Sequence, residues 1–409
     1  MALSLATRTR SGPMRHRDFR LLTTGSGVSS FGNGITPVAL AFAVIDLGGS
    51  ASALGLVEAA FAAAEVATTL LGGVLGDRVS RQLVMEGSSA GSALTQVLMA
   101  LTLITGIASI PLLTALGVVT GVLSALSRPS SQAMTRLTVP ESELAGAVAV
   151  RSLAQQAGTT VGYALGGVMV AVVGTGWSIM VDAATFAFAA ACFARMRVVT
   201  TRVSAARESM LADLGEGARE VLRHAWLWLL IGQALLYHVF YDGAQGVLGP
   251  IVVGEGMSRS DWGAALAFLM AGFVVGGLIC LRWRPRHALG AGTALLSLAS
   301  LFPLAMALAD RPQVVWAGAL AHGIGLSIFS VFWDLSIQQN VPEEKLSRVY
   351  SFDIVGSFIA RPLGLALTGP VAEAVGFDRW LIVVAVVIGG SSLIALLSKD
   401  VRRLRLLES

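Results

Sequence analysis

Charge is scarce in this chain. Asp, Glu, Lys and Arg together make up 13% of 409 residues, about half of what soluble domains carry. That scarcity excludes two or three soluble domains, the expectation for this length. Cysteine is nearly absent. Cys192 and Cys280 fall in different apolar runs and lack any metal or redox spacing, so both are expected to be packing residues. Low-complexity tracts are missing, and no soluble domain interrupts the apolar runs. What fills the chain is hydrophobic sequence, 55% of residues, with a mean hydropathy of +0.73. About 20 apolar residues carry a helix across a bilayer, and runs of that length recur from end to end.

Only helices satisfy their backbone polar groups within one segment in lipid, so these runs are expected to be helical. Twelve are predicted, over roughly 21–46, 52–75, 83–105, 110–133, 148–173 and 176–195, then 225–252, 261–282, 288–309, 312–337, 351–374 and 378–398. The expected fold class is an all-α membrane protein, two six-helix repeats in parallel. The first apolar run is too long for the core of a signal peptide and is read as a helix that stays.

Arg far outnumbers Lys, and a pI near 9.5 invites a nucleic-acid reading. The placement of the basic residues argues against it. They sit in short loops beside apolar runs, where the positive-inside rule accounts for them. Alternate loops hold Arg78 and Arg81, Arg136, Arg282 with Arg284 and Arg286, and Lys345 with Arg348; the opposite loops hold only Arg259, Arg311 and Arg379. Both termini are therefore expected on the cytoplasmic side of a bacterial cytoplasmic membrane. The expected division is an N-terminal bundle at 1–197, a linker at 198–224 and a C-terminal bundle at 225–409. In the linker Leu211, Leu214, Ala218, Val221 and Leu222 recur at helical spacing opposite Asp213, Glu216, Arg219 and Arg223. This predicts an amphipathic surface helix, with a flexible solvated linker as the alternative.

The halves echo each other. Val139-Pro140-Glu141 returns as Val341-Pro342-Glu343, an offset of 202 positions. At that offset Gly162 pairs with Gly364, Gly167 with Gly369, and Gly174 with Gly376, while Gly73 pairs with Gly277 at 204. Repeats of an even number of helices run parallel and place a binding site between the halves near the midplane.

The loop Gly73-Val-Leu-Gly76-Asp77-Arg78-Val-Ser80-Arg81-Gln82 resembles the signature loop of the major facilitator superfamily. That resemblance implies a cytoplasmic latch of Gly73, Asp77, Arg78 and Arg81, with Gln82 in place of the usual last basic residue. The second half has Leu281 where the Asp would stand, so a single latch is implied. Gly158-Thr-Thr-Val-Gly162-Tyr163-Ala-Leu-Gly166-Gly167 is similar to the superfamily's antiporter glycine motif, with Tyr163 at the usual Pro. Plain helix packing through Gly162, Gly166 and Gly167 is the competing account. Arg128-Pro129, Asp182-Ala-Ala-Thr185-Phe186, Leu248-Gly249-Pro250, Trp333-Asp334, Asp353, Pro362-Leu-Gly364 and Gly369-Pro370 together look like the drug-efflux branch related to macrolide and siderophore exporters. The branch implies alternating-access export of a hydrophobic or amphipathic small molecule by proton antiport, with import or facilitated movement of a small organic solute as the alternative. Asn33 stands where relatives offer an Asp in the first helix, so a proton carrier must lie elsewhere.

Ionisable groups at membrane depth are costly and default to functional candidates. Glu58 and Glu65, seven residues apart, share one face of the second helix. Arg361 falls mid-span in the eleventh, and a Glu65–Arg361 contact is expected, the alternative being that each faces water separately. His238 and Asp242 share a face of the seventh helix. These five are the proton-coupling candidates. Asn33, Tyr237, Tyr241, His322 and Trp333 are the substrate-cavity candidates, although a buried, hydrogen-bonded histidine is the commoner state of a residue such as His322. Asp182, Asp334 and Asp353 are expected to stabilise helix ends or loops. No Gly-Lys-Ser/Thr phosphate loop, zinc triad or nucleophile–base arrangement occurs, so no enzyme, cofactor or metal is expected. The expected partners are the lipid bilayer, a small-molecule substrate and protons, with the chain acting as a monomer.

Overall fold

The computed structural model describes residues 12–71, 80–198, 219, 221–283 and 285–404. Among these the chain forms twelve long helices and no strand. Nine described segments are long and apolar enough to cross a membrane, and one of them, Glu141–Ala194, holds two spans. The amphipathic helix expected in the linker and most of the signature loop lie outside the described residues.

The chain packs as two compact units, 1–48 with 60–205, and 49–59 with 206–409. The first contains α1 (Arg17–Asp46), most of α2 (Ala51–Leu71), α3 (Arg81–Ile104) and α4 (Ile110–Thr138). The helical stretch Leu144–Ala194 completes it. Gly174, at φ +83°, breaks this stretch into α5 (144–173) and α6 (175–194). A side chain is strained at that φ, and glycine is not. Ser80 caps α3 by accepting from the Leu83 amide, which satisfies one of the orphan N–H groups of the first turn. At one end of the bundle Leu22, Met85, Met134, Ala189, Cys192, Phe193 and Met196 form a buried apolar cluster, so Cys192 is a packing residue, as expected.

The second unit contains α7 (Ala225–Gly243), α8 (Arg259–Arg282), α9 (288–308), α10 (Pro312–Asn340), α11 (Glu343–Val375) and α12 (Phe377–Ala395). Beyond Gly243, α7 widens into π-helical turns over Ala244–Leu248 and Pro250–Glu255. Pro250 has no N–H to continue the ladder, and Gly249 lies flat against the Trp262 ring, where a Cβ would come within 2.1 Å. The expected single helix over 225–252 is therefore a helix with a wide-turn extension.

The internal repeat is visible as geometry. α4 and α10 end at Thr138 and Asn340, and the matching Val139-Pro140 and Val341-Pro342 pairs start the next helices. Gly174 and Gly376 both take positive φ, +83° and +99°, and each joins two helices without a loop. Gly162 and Gly364 do equivalent work in their own units. A Cβ on Gly162 would lie 2.1 Å from the Phe31 carbonyl of α1, and one on Gly364 2.4 Å from the Val239 carbonyl of α7. The glycine motif is thus a packing seam, with Gly162 and Gly166 against α1 and Gly167 buried.

Candidate functional site

In the first unit the polar groups fall into three places. Glu65 of α2 is 2% exposed and pairs with Arg128 of α4 at 2.9 Å. Arg128 keeps its side chain 59% exposed, so one end of the pair is enclosed and the other open. In the sequence Arg128 stands out only as part of a branch motif; an arginine inside an apolar run is the signal that points to it. Arg151 of α5 is buried and donates to the Ser131 carbonyl and the Thr135 hydroxyl, each at 2.7 Å, tying α5 to α4. Asp182 of α6 does not serve a helix end, contrary to expectation. It lies mid-helix and fully buried, accepting from Thr36 of α1, from Gln96 of α3 at 2.7 Å and from Thr185 one turn on. Asn33 is exposed on α1.

Of the latch residues, Gly73, Asp77 and Arg78 lie outside the described residues. Arg81 opens α3. Gln82, where the signature has a basic residue, donates from its amide to the Phe193 and Met196 carbonyls, both at 2.9 Å. These are carbonyls at the end of α6, and a helix end leaves such groups in need of donors.

In the second unit exposure sorts the candidates. Tyr237, Tyr241, His322 and Trp333 are buried. The Tyr237 hydroxyl meets His322 Nε2 at 2.7 Å, and the Tyr241 ring lies 4.3 Å from the His322 ring. Phe302 of α9 closes the same cluster edge-on at 6.0 Å. His322 is a core histidine inside an aromatic box. Trp333 stacks on Phe329 and donates to Asp353 at 3.3 Å, so Asp353 bridges α10 and α11 within the bundle and is not a helix-end residue. His238 and Asp242 remain half-open, 33% and 16% exposed, and pair through Nδ1 and Oδ2 at 3.0 Å.

Residues 49–59 pack with this unit. There Arg361 acts on Glu58 through its charge. Glu373 of α11 accepts from the Ser52 amide at 2.9 Å and the Ser52 hydroxyl at 2.6 Å. A carboxylate at the first turn of α2 complements the positive end of the helix dipole. Gly55 abuts the Leu365 carbonyl and Gly369 the backbone of Ser52, each with a would-be Cβ at 2.5 Å. The sequence points to Glu58 and Arg361 but not to this Ser52–Glu373 clasp. Glu65 and Arg361, expected as partners, belong to different units.

Two units of six helices each, with repeated breaks, glycine seams and a buried ion pair, fit a multi-pass membrane transporter. The pattern of the Major Facilitator Superfamily matches residues 22–365, and the chain belongs to that superfamily, whose members are transporters rather than enzymes. The multidrug efflux pump Tap of Mycolicibacterium fortuitum is 28% identical over 385 residues, covering 90% of this chain and 91% of Tap. Macrolide efflux protein A of Streptococcus pyogenes is 22% identical over 407 residues, covering 95% and 97%. Among solved structures, a bacterial homologue of the human lysosomal transporter Spinster superposes with a TM-score of 0.72 at 16% identity, covering 96% of this chain and 98% of its own. The nucleoside transporter NupG does so at 0.71 and 13%, covering 93% and 97%. These two likenesses concern the fold.

Proposed function

We propose that the protein is a proton-coupled exporter of a hydrophobic or amphipathic small molecule, an antibiotic, drug or siderophore-like compound, working by alternating access in a bacterial cytoplasmic membrane. Two near-full-length relatives bear the names of efflux pumps, and this direction is carried over to the chain. The observation that carries the coupling is Glu65, a carboxylate 3% exposed within an apolar helix and paired with a largely exposed arginine. A proton shifts a conformational equilibrium only if its affinity differs between the two states. A carboxylate whose cation is free to move into water meets that condition, because the pairing and the hydration change together. Arg128 is the cationic partner of Glu65 in this reading, and Arg361 that of Glu58. Glu58, His238 and Asp242 are the reserve carriers, and Asn33, exposed on α1, offers a substrate contact in the first unit. Asp77, Arg78 and Arg81 act as the cytoplasmic latch between bundles 1–197 and 225–409, joined by the linker 198–224.

The test is uptake of radiolabelled erythromycin into everted membrane vesicles. Accumulation against the gradient, driven by an acid interior, is expected. Movement that only runs downhill, whatever the proton gradient, would place the protein among facilitators.

Both termini are assigned to the cytoplasm. Single cysteines placed at Ser50, Arg259 and Arg379, in a background lacking Cys192 and Cys280, are expected to react with an impermeant thiol reagent in intact cells. Protection at all three positions would reverse the orientation.

A further inference from the structure

We propose that Asp182 is a second proton-binding site of the transport cycle, gripping α1 when ionised and loosening it when protonated. The inference rests on the reading of the protein as proton-driven. Asp182 is 0% exposed, and it is not among the five proton-coupling candidates. An ionised carboxylate is an acceptor only, and neutral donors from α1 and α3 converge on it, beside the Thr185 hydroxyl, which donates to the Asp182 backbone carbonyl at 2.7 Å. Thr36 and Gln96 both donate to Oδ2, and Thr185 lies 3.2 Å from Oδ1. These three are the groups that reach it from α1, α3 and α6. None is titratable, and among the described residues no charged side chain acts on the carboxyl. The space is also built for it. Gly32 of α1 lies directly against the carboxyl, where a Cβ would come within 1.8 Å of Oδ1.

The remaining observation is Gln96 Oε1, a buried acceptor without a hydrogen-bond partner, on a residue only 1% exposed. Buried polar atoms are nearly always satisfied, so an orphan calls for an explanation. A proton on Oδ2 would set an O–H against two groups that already donate to that atom. Thr36 or Gln96 must then turn away. If the Gln96 amide turns over, its orphan Oε1 faces the new O–H and accepts from it. The turned amide no longer donates to the Thr36 hydroxyl, as it does at 3.3 Å, and Thr36 keeps only a bond to a neutral carboxyl, weaker than one to a carboxylate. α3 and α6 thus stay joined through Gln96 while the hold on α1 slackens. α1 also carries Asn33 on its exposed face, one residue from Gly32. Proton uptake behind α1 is in this way passed to the face in front of it.

The first measurement needs no substrate. Infrared difference spectra of the purified protein across the acid-to-neutral range are expected to show a buried carboxyl band that is missing in Asp182→Asn and displaced in Thr36→Val. A spectrum that neither variant alters overturns the proposal. The second uses erythromycin accumulation in everted vesicles. Asp182→Asn is expected to lose at least tenfold of the acid-interior-driven accumulation and to keep downhill movement, while Thr36→Val displaces the pH profile without flattening it. If the unmodified protein depends on the proton gradient but Asp182→Asn retains full accumulation and an unchanged pH profile, the inference fails and the proton-driven reading stands. If the unmodified protein accumulates erythromycin without regard to the gradient, both fail.

Discussion

Gly162→Leu should leave almost no folded protein in the membrane. A Cβ at Gly162 would stand 2.1 Å from the Phe31 carbonyl, and the same seam has Gly158 against the Gly27 carbonyl and Gly34 against the Thr159 carbonyl, at 2.4 and 2.5 Å. Backbone cannot rotate away as a side chain end can, so α1 and α5 must part along several turns. Overpacking of an ordinary core costs about 1–3 kcal/mol, and more where nothing yields; here about 3 kcal/mol or more is expected, with Gly162→Ala nearer the lower figure. Gly364→Leu, against the Val239 carbonyl at 2.4 Å, should behave alike in the second unit. Gly232→Leu is the control, because no atom lies within 4 Å of its would-be Cβ. Thermal unfolding in detergent and yield of extracted protein give the readout. Equal yields of Gly162→Leu and Gly232→Leu would show that the seam is not a close contact.

The Glu65–Arg128 pair should respond unequally to loss of its two members. Glu65 is 3% exposed and Arg128 59%. Glu65→Gln leaves a guanidinium that water can hydrate, so folding should survive while uphill accumulation is lost and downhill movement remains. Arg128→Ala takes the cation from a carboxylate that water barely reaches. Breaking a buried pair costs about 3–5 kcal/mol, and with one wet partner about 2–4 kcal/mol is expected. Residues acting through one interaction are non-additive, so the double variant should be more stable than Arg128→Ala alone. Unfolding midpoints and vesicle transport check the two halves of this statement. Full uphill export with an unchanged pH dependence in Glu65→Gln would make Glu65 a structural residue and move the search to Glu58, His238 and Asp242.

The helices are legible in the sequence because the bilayer sets their length and forbids anything else within it. Their ends are legible at Gly174 and Gly376, but not at the Val-Pro pairs. There the helices run on to Thr138 and Asn340, past the expected 133 and 337, and the next begin at Leu144 and Glu343 rather than 148 and 351. The π-helical turns after Gly243 are not, because they depend on the Trp262 ring lying against Gly249 from another helix. Pairings are the least legible part. Glu58 and Glu65 can be placed on one face of α2, but which guanidinium meets which carboxylate depends on how α4 and α11 are rotated, and periodicity leaves that open. Asp182 reads as a helix-end or loop residue because it belongs to a branch motif; its partners, Thr36 and Gln96, are 146 and 86 residues away. His322 is a cavity candidate in the sequence, whereas packing of Tyr237, Tyr241 and Phe302 encloses it.

The two corners at Gly174 and Gly376 carry a mechanical consequence. Each joins a pair of spans through a single residue, with no intervening loop. A loop absorbs displacement by changing many torsions; a one-residue corner has only two. α5 with α6, and α11 with α12, therefore act as bent beams. A tilt imposed at the far end of α5, where it lies against α1, is handed to α6 without slack, and α6 is the helix that holds Asp182.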